Sequence, residues 1–332
     1  MLGRYGGLAK EGVLGLNKRN GDYILRFNPR RLYPLVDDKL KTKRLALAAG
    51  IAVPQLYGVI ETQHDIRRLP EIVRDHPEFA LKPAHGSAGD GIVVIAGRSS
   101  SRYRTISGTL LDDDFLSHHL SNAINGQFSL GGVQDVVIVE YMVRFSQLFE
   151  RVSYLGVPDI RVIVYRGFPV MSMVRLPTRA SHGKANLHQG AVGAGIDLAS
   201  GVTLDGVVGT QVVTHHPDTT HAIAGLKIPD WEVILDISAR CYELTGMGYI
   251  GVDIVLDRDL GPLVLELNAR PGLAIQIANR QGLLRRLKMC DERADFSATP
   301  LDRIRFAQQE FRHPVGPVLA TEAVASVAQE AG

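Results

Sequence analysis

The sequence predicts an α+β fold, and three features carry that expectation. Runs of β-branched residues at 135–141 (DVVIVEY) and 160–165 (IRVIVY) read as buried strands. The stretch 248–272 (GYIGVDIVLDRDLGPLVLELNARPG) reads as two strands folded back on each other, an antiparallel hairpin. A glycine-rich loop at 86–91 leads into another strand rather than a helix and lacks the spacing GxxxxGK(S/T), which disfavours P-loop and dinucleotide-binding folds.

Composition narrows the class. With 45% hydrophobic and 22% charged residues, most of the chain is expected to fold. Thirty-seven Lys and Arg against thirty-five Asp and Glu leave a net charge of +2, too balanced for a protein that wraps a polyanion, so nucleic acid is not an expected partner. The only two cysteines, Cys241 and Cys290, exclude a cysteine-built metal site and are expected to be packing residues in a reducing compartment. No apolar run follows the first charges and none approaches bilayer length, so no membrane partner and a cytoplasmic location are expected.

Four segments are expected. Residues 1–37, rich in Arg, Asn and Gly, form an arm or small subdomain with one strand-like piece at 23–27. Residues 38–143 form a first lobe. It opens with a helix capped by Asp37 or Asp38 and stopped at Gly50, then a strand at 55–60, a helix near 65–74, strands at 79–82 and 92–96, a helix at 113–121 and the strand at 135–141. Residues 144–290 form a second lobe, with strands at 160–165 and 170–175 and a helix from Trp231 that Gly246 and Gly248 end. The hairpin and a helix at 274–289 follow. Between the strand at 170–175 and the helix from Trp231, 181–209 shows neither helical nor strand periodicity and reads as a long loop over a functional face. Residues 291–332 form a tail without a readable motif.

The chemistry concentrates in three places. If Asp257 and Pro262 close a four-residue turn, Asp253 faces Glu266, and Asn268 shares their face. Val252, Ile254 and Leu256 then oppose Leu267, Leu265 and Leu263 on an apolar face. Two carboxylates about 5 Å apart repel unless a cation sits between them. All-oxygen donors with an amide suit magnesium or manganese, which recruit phosphate oxygens; a solvated acidic face on an edge hairpin is the plainer alternative.

Second, Lys82 ends a strand and the loop behind it brings glycines whose amides can cradle phosphate, although a simple long hairpin would use the same residues. Third, Arg161 and Arg175 project from otherwise apolar strands, an expensive placement unless an anion meets each guanidinium or each reaches solvent. The adjacent pairs His118/His119 and His215/His216 diverge on either helix or strand and are expected at the surface.

Together the segments DDKLKTKRLALAAGIAVP, FALKPAHGSAGDGIVVI, VIVEYM, DIRVIVY, KANLHQG, GVDIV and LELNARPG resemble, in order, the ATP-grasp superfamily and within it the RimK-type and alpha-L-glutamate ligase-like proteins. The resemblance spans residues 38–284 and implies two α+β lobes with antiparallel sheets enclosing ATP, with the usual N-terminal domain reduced. It implies that Lys43 and Lys82 reach the phosphates and that the loop with His85, Gly86, Ser87, Gly89 and Gly91 closes over them. By the same resemblance, Glu140, Tyr141, Met142 and Val143 would form the adenine-reading hinge, Asp159, Lys184 and Asn186 would contact nucleotide, and Asp253, Glu266 and Asn268, the same trio that the hairpin selects, would hold Mg2+ or Mn2+.

The implied reaction is an ATP-dependent carboxylate–amine ligation through an acyl phosphate. Arg161, Arg175 and Arg270 would steady the tetrahedral oxyanion, and His188 would position substrate or move a proton. The substrates would be a carboxylate and an amine on a small molecule, peptide or protein tail, with glutamate suggested by the resemblance alone. A homo-oligomer is compatible with this reading. A phosphotransferase and a non-catalytic nucleotide-binding partner are the alternatives.

Overall fold

The protein is described by a computed structural model at residues 11–86, 89–100 and 102–313. The chain divides into two compact units, residues 37–144 and residues 1–36 with 145–332, so the first is inserted into the second. Expectations for the first ten residues, for Ser87 and for the tail beyond 313 lie outside the described residues. Among the described residues no helix is long and apolar enough to cross a membrane.

In the inserted unit, strands β1 (Leu56–Ile60), β2 (Phe79–Pro83), β3 (Val93–Ser99), β4 (Arg102–Thr105), β5 (Leu110–Leu111) and β6 (Val137–Tyr141) form one sheet in the order β1-β6-β2-β3-β4-β5. Every pairing is antiparallel. Helix α1 (Lys39–Ala48) starts where Asp38 accepts the amides of Leu40 and Lys41, and Gly50 with φ +67 turns the chain after it. Helix α2 (Asp113–Ile124) is capped by Asp112 in the same way. Leu116, Leu120 and Ala123 of α2 share a core with Phe79, Leu81, Ile95, Val137 and Val139 of the sheet, while Leu40 of α1 packs with Ala84 and Ile138. The helix expected near 65–74 is a 3-10 turn, Asp65–Arg68, and one α turn, Leu69–Ile72.

The other unit is built on β7 (Asp159–Tyr165), β8 (Phe168–Leu176), β9 (Val192–Ile196), β10 (Thr203–Val208), β11 (Gln211–Val213), β12 (Tyr249–Asp257) and β13 (Gly261–Asn268). Their order is β11-β10-β9-β8-β7-β12-β13, again wholly antiparallel. Helices α3 (Trp231–Thr245), α4 (Ile275–Asn279), α5 (Leu283–Arg293) and α6 (Pro300–Glu310) pack with it.

Five expectations need correction. The piece at 23–27 is not a strand: residues 16–27 are helical throughout, with a π segment at Arg19–Ile24. Tyr23 and Ile24 are buried while Leu25 is 73% exposed, a pattern that alternation does not produce. The segment 181–209 is not one loop, since it contributes β9 and β10 to the sheet. Gly193 and Gly195 remove the side-chain period there because a Cβ on them would meet Leu187 at 2.6 Å and Asn279 at 2.8 Å.

The hairpin closes one residue earlier than expected, with Asp257 opposite Gly261, and a bulge between Asp253 and Ile254 restores Asp253 to Glu266. Ile254 therefore faces Val264 and Leu256 faces Pro262, so the apolar face is completed by Val264 and Pro262 in place of Leu265 and Leu263. The helix at 274–289 is two helices, broken where Arg280 adopts φ +49. Finally, the tail contains α6, capped by Thr299 through the amide of Asp302 with Pro300 in the first turn.

Candidate active site

Strand register places one polar group on the larger sheet. Asp159 pairs across β7/β8 with Arg175, and Arg161, two residues on and hence on the same face, pairs across β7/β12 with Asp253. Asp253 in turn pairs with Glu266 across β12/β13, and Asn268 follows Glu266 on the same face. The side chains meet. Arg161 donates through Nε to Asp253 Oδ1 at 2.7 Å and through Nη2 to Oδ2 at 2.5 Å. Arg175 donates through Nη2 to Asp253 Oδ2 at 2.8 Å and to Asp159 Oδ2 at 2.6 Å, and its Nε bonds Asp159 Oδ1. Asn268 Nδ2 reaches Asp253 Oδ2 at 3.2 Å and Glu266 Oε1 at 3.4 Å.

The anions that answer the two strand arginines are thus carboxylates of the same sheet, which sequence spacing could not reveal. Burial opposes ionisation of Asp253, but Arg161 and Arg175 outweigh it and hold its carboxyl far below the usual range. Asp159 goes the other way: burial, together with the charge of Asp253, pushes it up to about 6 against the pull of Arg175. Burial likewise opposes the charge of Arg175, and the two aspartates more than offset it, raising its pKa.

In the inserted unit, Lys43 of α1 and Lys82 of β2 converge on Glu140 of β6. Lys43 Nζ lies 2.8 Å from Oε2 and Lys82 Nζ 2.5 Å from Oε1. Glu140 is 3% exposed; burial works against its charge, and the two lysines still bring its pKa below the ordinary value. Burial lowers Lys43 in spite of Glu140. Lys43 also bonds the Pro54 carbonyl, and the Tyr141 amide donates to the Gln55 carbonyl at 2.8 Å. Met142 and Val143 follow the end of β6 and are half-buried.

At the start of the glycine loop, His85 Nδ1 lies 2.7 Å from Asp135 Oδ1 and its amide donates to both Asp135 oxygens. Ser129 donates to Asp135 Oδ2 at 2.5 Å. Lys39 bonds the carbonyl of Gly86, Gly89 and Gly91 both have positive φ, and a Cβ on Gly91 would lie 2.5 Å from the Phe128 ring. His119, expected at the surface, holds the Gly91 carbonyl through Nε2 at 2.9 Å. His216, expected there too, is buried against the Pro177 carbonyl at 3.0 Å. His118 and His215 are exposed as predicted.

The remaining expected residues stand apart from the polar cluster. Asn186 Oδ1 accepts the His188 amide at 3.0 Å and so caps the turn Leu187–Gln189; the His188 side chain is exposed and Lys184 is half-buried. Arg270 is exposed, its guanidinium 4.8 Å from the centre of the Tyr33 ring. Among the described residues neither Arg270 nor His188 is bonded to the cluster.

Among the described residues no group of three or more His, Cys, Asp or Glu is placed to hold a metal. The donor set of Asp253, Glu266 and Asn268 nevertheless fits a hard divalent cation, because two carboxylates and an amide, whose oxygen and nitrogen can exchange places by a flip, converge within 3.4 Å.

Residues 18–292 match the model of the family described as sugar-transfer associated ATP-grasp. No curated protein matches the sequence. Among solved structures, the ATP-grasp ligase PsnB, complexed with a phosphomimetic variant of its minimal precursor, Mg and ADP, is 14% identical with a TM-score of 0.45 over 84% of this chain. The chain spans 61% of the length of that protein. The D-cycloserine synthetase DcsG is 15% identical with a TM-score of 0.45, over 80% of this chain and 73% of its own. A RimK domain ATP-grasp protein from Sphaerobacter thermophilus is 15% identical with a TM-score of 0.44, over 79% and 69%.

Proposed function

The chain belongs to the sugar-transfer associated ATP-grasp family, and from that membership we propose that it is an ATP-dependent carboxylate–amine ligase working through an acyl phosphate. The observation that supports this reading best is the convergence of Asp253, Glu266 and Asn268 with Arg161 and Arg175 on one sheet face. Asp253, Glu266 and Asn268 would hold Mg2+ or Mn2+, which supplies charge neutralisation to phosphoryl oxygens. Lys43 and Lys82, held by Glu140, would carry positive charge to the nucleotide phosphates. His85, Gly86, Ser87, Gly89 and Gly91 would line the phosphate loop, the strand end at Glu140, Tyr141, Met142 and Val143 would meet adenine, and Asp159, Lys184 and Asn186 would lie toward the nucleotide.

A substrate carboxylate oxygen bonds to the γ-phosphorus as the β–γ bridge breaks and ADP leaves. The amine then adds to the acyl carbon, and phosphate departs with the electron pair of its C–O bond. Arg161 and Arg175 donate to the oxyanion that forms between these events. Arg270 and His188 are exposed on separate segments and would meet the incoming substrate rather than the buried carboxylates.

The test is incubation of purified protein with ATP, Mg2+ and a panel of amino acids, glutamate included, and short peptides. Phosphate release that needs both a carboxylic acid and an amine, with an amide found by mass spectrometry, is the expected result. A phosphorylated alcohol would instead establish a phosphotransferase. Glu266→Gln is the variant of choice, because Glu266 is half-buried and accepts no bond from either arginine, whereas removing the Asp253 carboxylate takes from Arg161 its carboxylate partner and leaves Arg175 with Asp159 alone. We expect Glu266→Gln to lower phosphate release on the order of 100-fold, the size usual for one electrostatic stabiliser, with its melting temperature nearly unchanged.

A further inference from the structure

Residues 84–86, at the base of the glycine loop, are tied down through the main chain. The Ala84 amide donates to the Val136 carbonyl at 2.9 Å, the Ala84 carbonyl accepts the Lys39 amide at 3.0 Å, Gly86 bridges to Ser129, and the His85 amide donates to Asp135. The His85 ring is therefore not needed to anchor the loop. Its Nδ1 nevertheless lies 2.7 Å from Asp135 Oδ1, on a carboxylate whose side chain is fully buried. Burial opposes the charge of Asp135, and the bonds from Ser129 and His85 outweigh it and hold the carboxyl below its ordinary range. An ionised carboxylate only accepts, so Nδ1 carries a hydrogen in either charge state of the ring. The second ring nitrogen is left over. The His85 side chain is 37% exposed, and among the described residues Nε2 makes no hydrogen bond, Asp38 Oδ2 lying 3.8 Å away.

With Nδ1 occupied, a neutral ring turns a lone pair toward a phosphate oxygen, whereas an imidazolium turns a charged donor toward it. We infer that Asp135 aims His85 so that Nε2–H donates to a phosphoryl oxygen of the nucleotide, and that binding takes up a proton from solvent at this ring. Asp135 is thus a positioning residue, acting through His85. This deepens the ligase reading and rests on it for the presence of nucleotide at the loop. The ionisable neighbours of the ring are few. Asp38 caps α1, Lys41 pairs with Asp38 at 3.4 Å, Lys39 bonds the Gly86 carbonyl, Asp135 precedes β6, and Asp90 lies on the loop itself with its carbonyl beside Gly86. Asp38 and Asp135 answer the charge of the added proton, while Lys39 and Lys41 favour the incoming anion. Because only the protonated ring can donate from Nε2, nucleotide binding should weaken as pH rises through the titration of His85.

The test is calorimetric titration of the full chain with Mg2+ and the non-hydrolysable analogue AMP-PNP, in two buffers of different ionisation enthalpy so that the protons taken up are counted. His85→Asn is the informative variant, because its amide N–H replaces Nδ1–H toward Asp135 while nothing replaces Nε2. It should melt like the wild type and bind AMP-PNP roughly 10- to 100-fold more weakly, the range for one hydrogen bond to a charged group. It should also take up fewer protons than the wild type at the same pH. Either equal affinity or equal proton uptake in the two proteins overturns the inference and leaves the ligase reading standing. Nitrogen-15 spectra of the wild-type imidazole give a second readout that holds even if the variant does not fold. Nδ1 should be protonated in the free protein and both nitrogens in the complex. A ring protonated on Nε2 alone when free, or on one nitrogen only when nucleotide is bound, overturns the inference. No binding of AMP-PNP by the wild type overturns both readings.

Discussion

Glu140 is the clearest single-residue case in which burial and charge oppose each other. Its carboxylate is the common counter-ion of Lys43 and Lys82 in a nearly dry setting, and its pKa lies below the ordinary 4.5. A carboxylate depressed in the folded state stabilises the protein above its unfolded pKa, and that stabilisation fades as pH falls through the folded value. Glu140→Gln should therefore destabilise by about 3–5 kcal/mol at neutral pH, because it leaves two ammonium groups without a partner. The gap to wild type in urea unfolding should narrow below pH 4.5. A gap that stays constant down to pH 3 would mean that the ion pairs do not stabilise the fold. Residues of this kind were only half legible in the sequence. Lys82 and the trio Asp253, Glu266 and Asn268 were found because strand alternation sorts side chains by face. Asp135 and His119 were not, because each acts on a loop residue far away in the chain, 50 positions in the case of Asp135 and His85, and Ser129 enters only through its bond to Asp135.

At the scale of elements, periodicity succeeded where side chains exist to display it. The helix after Asp38 and the central strands at 137–141 and 159–165 match their expected positions within a few residues. It failed for β9, where glycines at alternate positions erase the pattern so that Leu187 and α4 can approach the strand. The prediction that follows is steric. Gly195→Ala puts a methyl 2.8 Å from the Asn279 side-chain oxygen and 2.9 Å from its Cα, and Asn279 is itself buried and bonded to the Ser172 carbonyl, so it has little room to yield. We expect a loss of about 1–3 kcal/mol, read as a lower denaturant midpoint. An unchanged midpoint would show that α4 can shift at no cost. Helix α6 was missed for a different reason: Thr299 and Pro300 form a proper start signal, but the polar surroundings masked the apolar stripe in which Ile304, Ala307 and Phe311 are buried.

For the whole molecule, the order of motifs led to the superfamily, but nothing in local sequence announced that residues 11–36 pack with the unit that resumes at 145. The ties are long-range hydrogen bonds between side-chain amides and backbone groups. Asn28 donates to the carbonyls of Tyr249 and Ala269 and accepts the Tyr249 amide, and Gln276 bonds the amide and carbonyl of Leu14. The inserted unit, by contrast, is contiguous and has its own core between sheet and helices. A fragment of residues 37–144 should therefore unfold cooperatively on heating, with a near-ultraviolet dichroism signal that vanishes in one transition. A featureless melt would refute its independence. The same interruption has a consequence during synthesis. While the ribosome is still making the second half, the inserted unit can close, but Val13, Leu14, Tyr23 and Ile24 must wait for partners such as Tyr249, 221 positions beyond Asn28. Those four apolar side chains thus stay uncovered until Tyr249 has been made, and this is the segment a chaperone would be expected to shield.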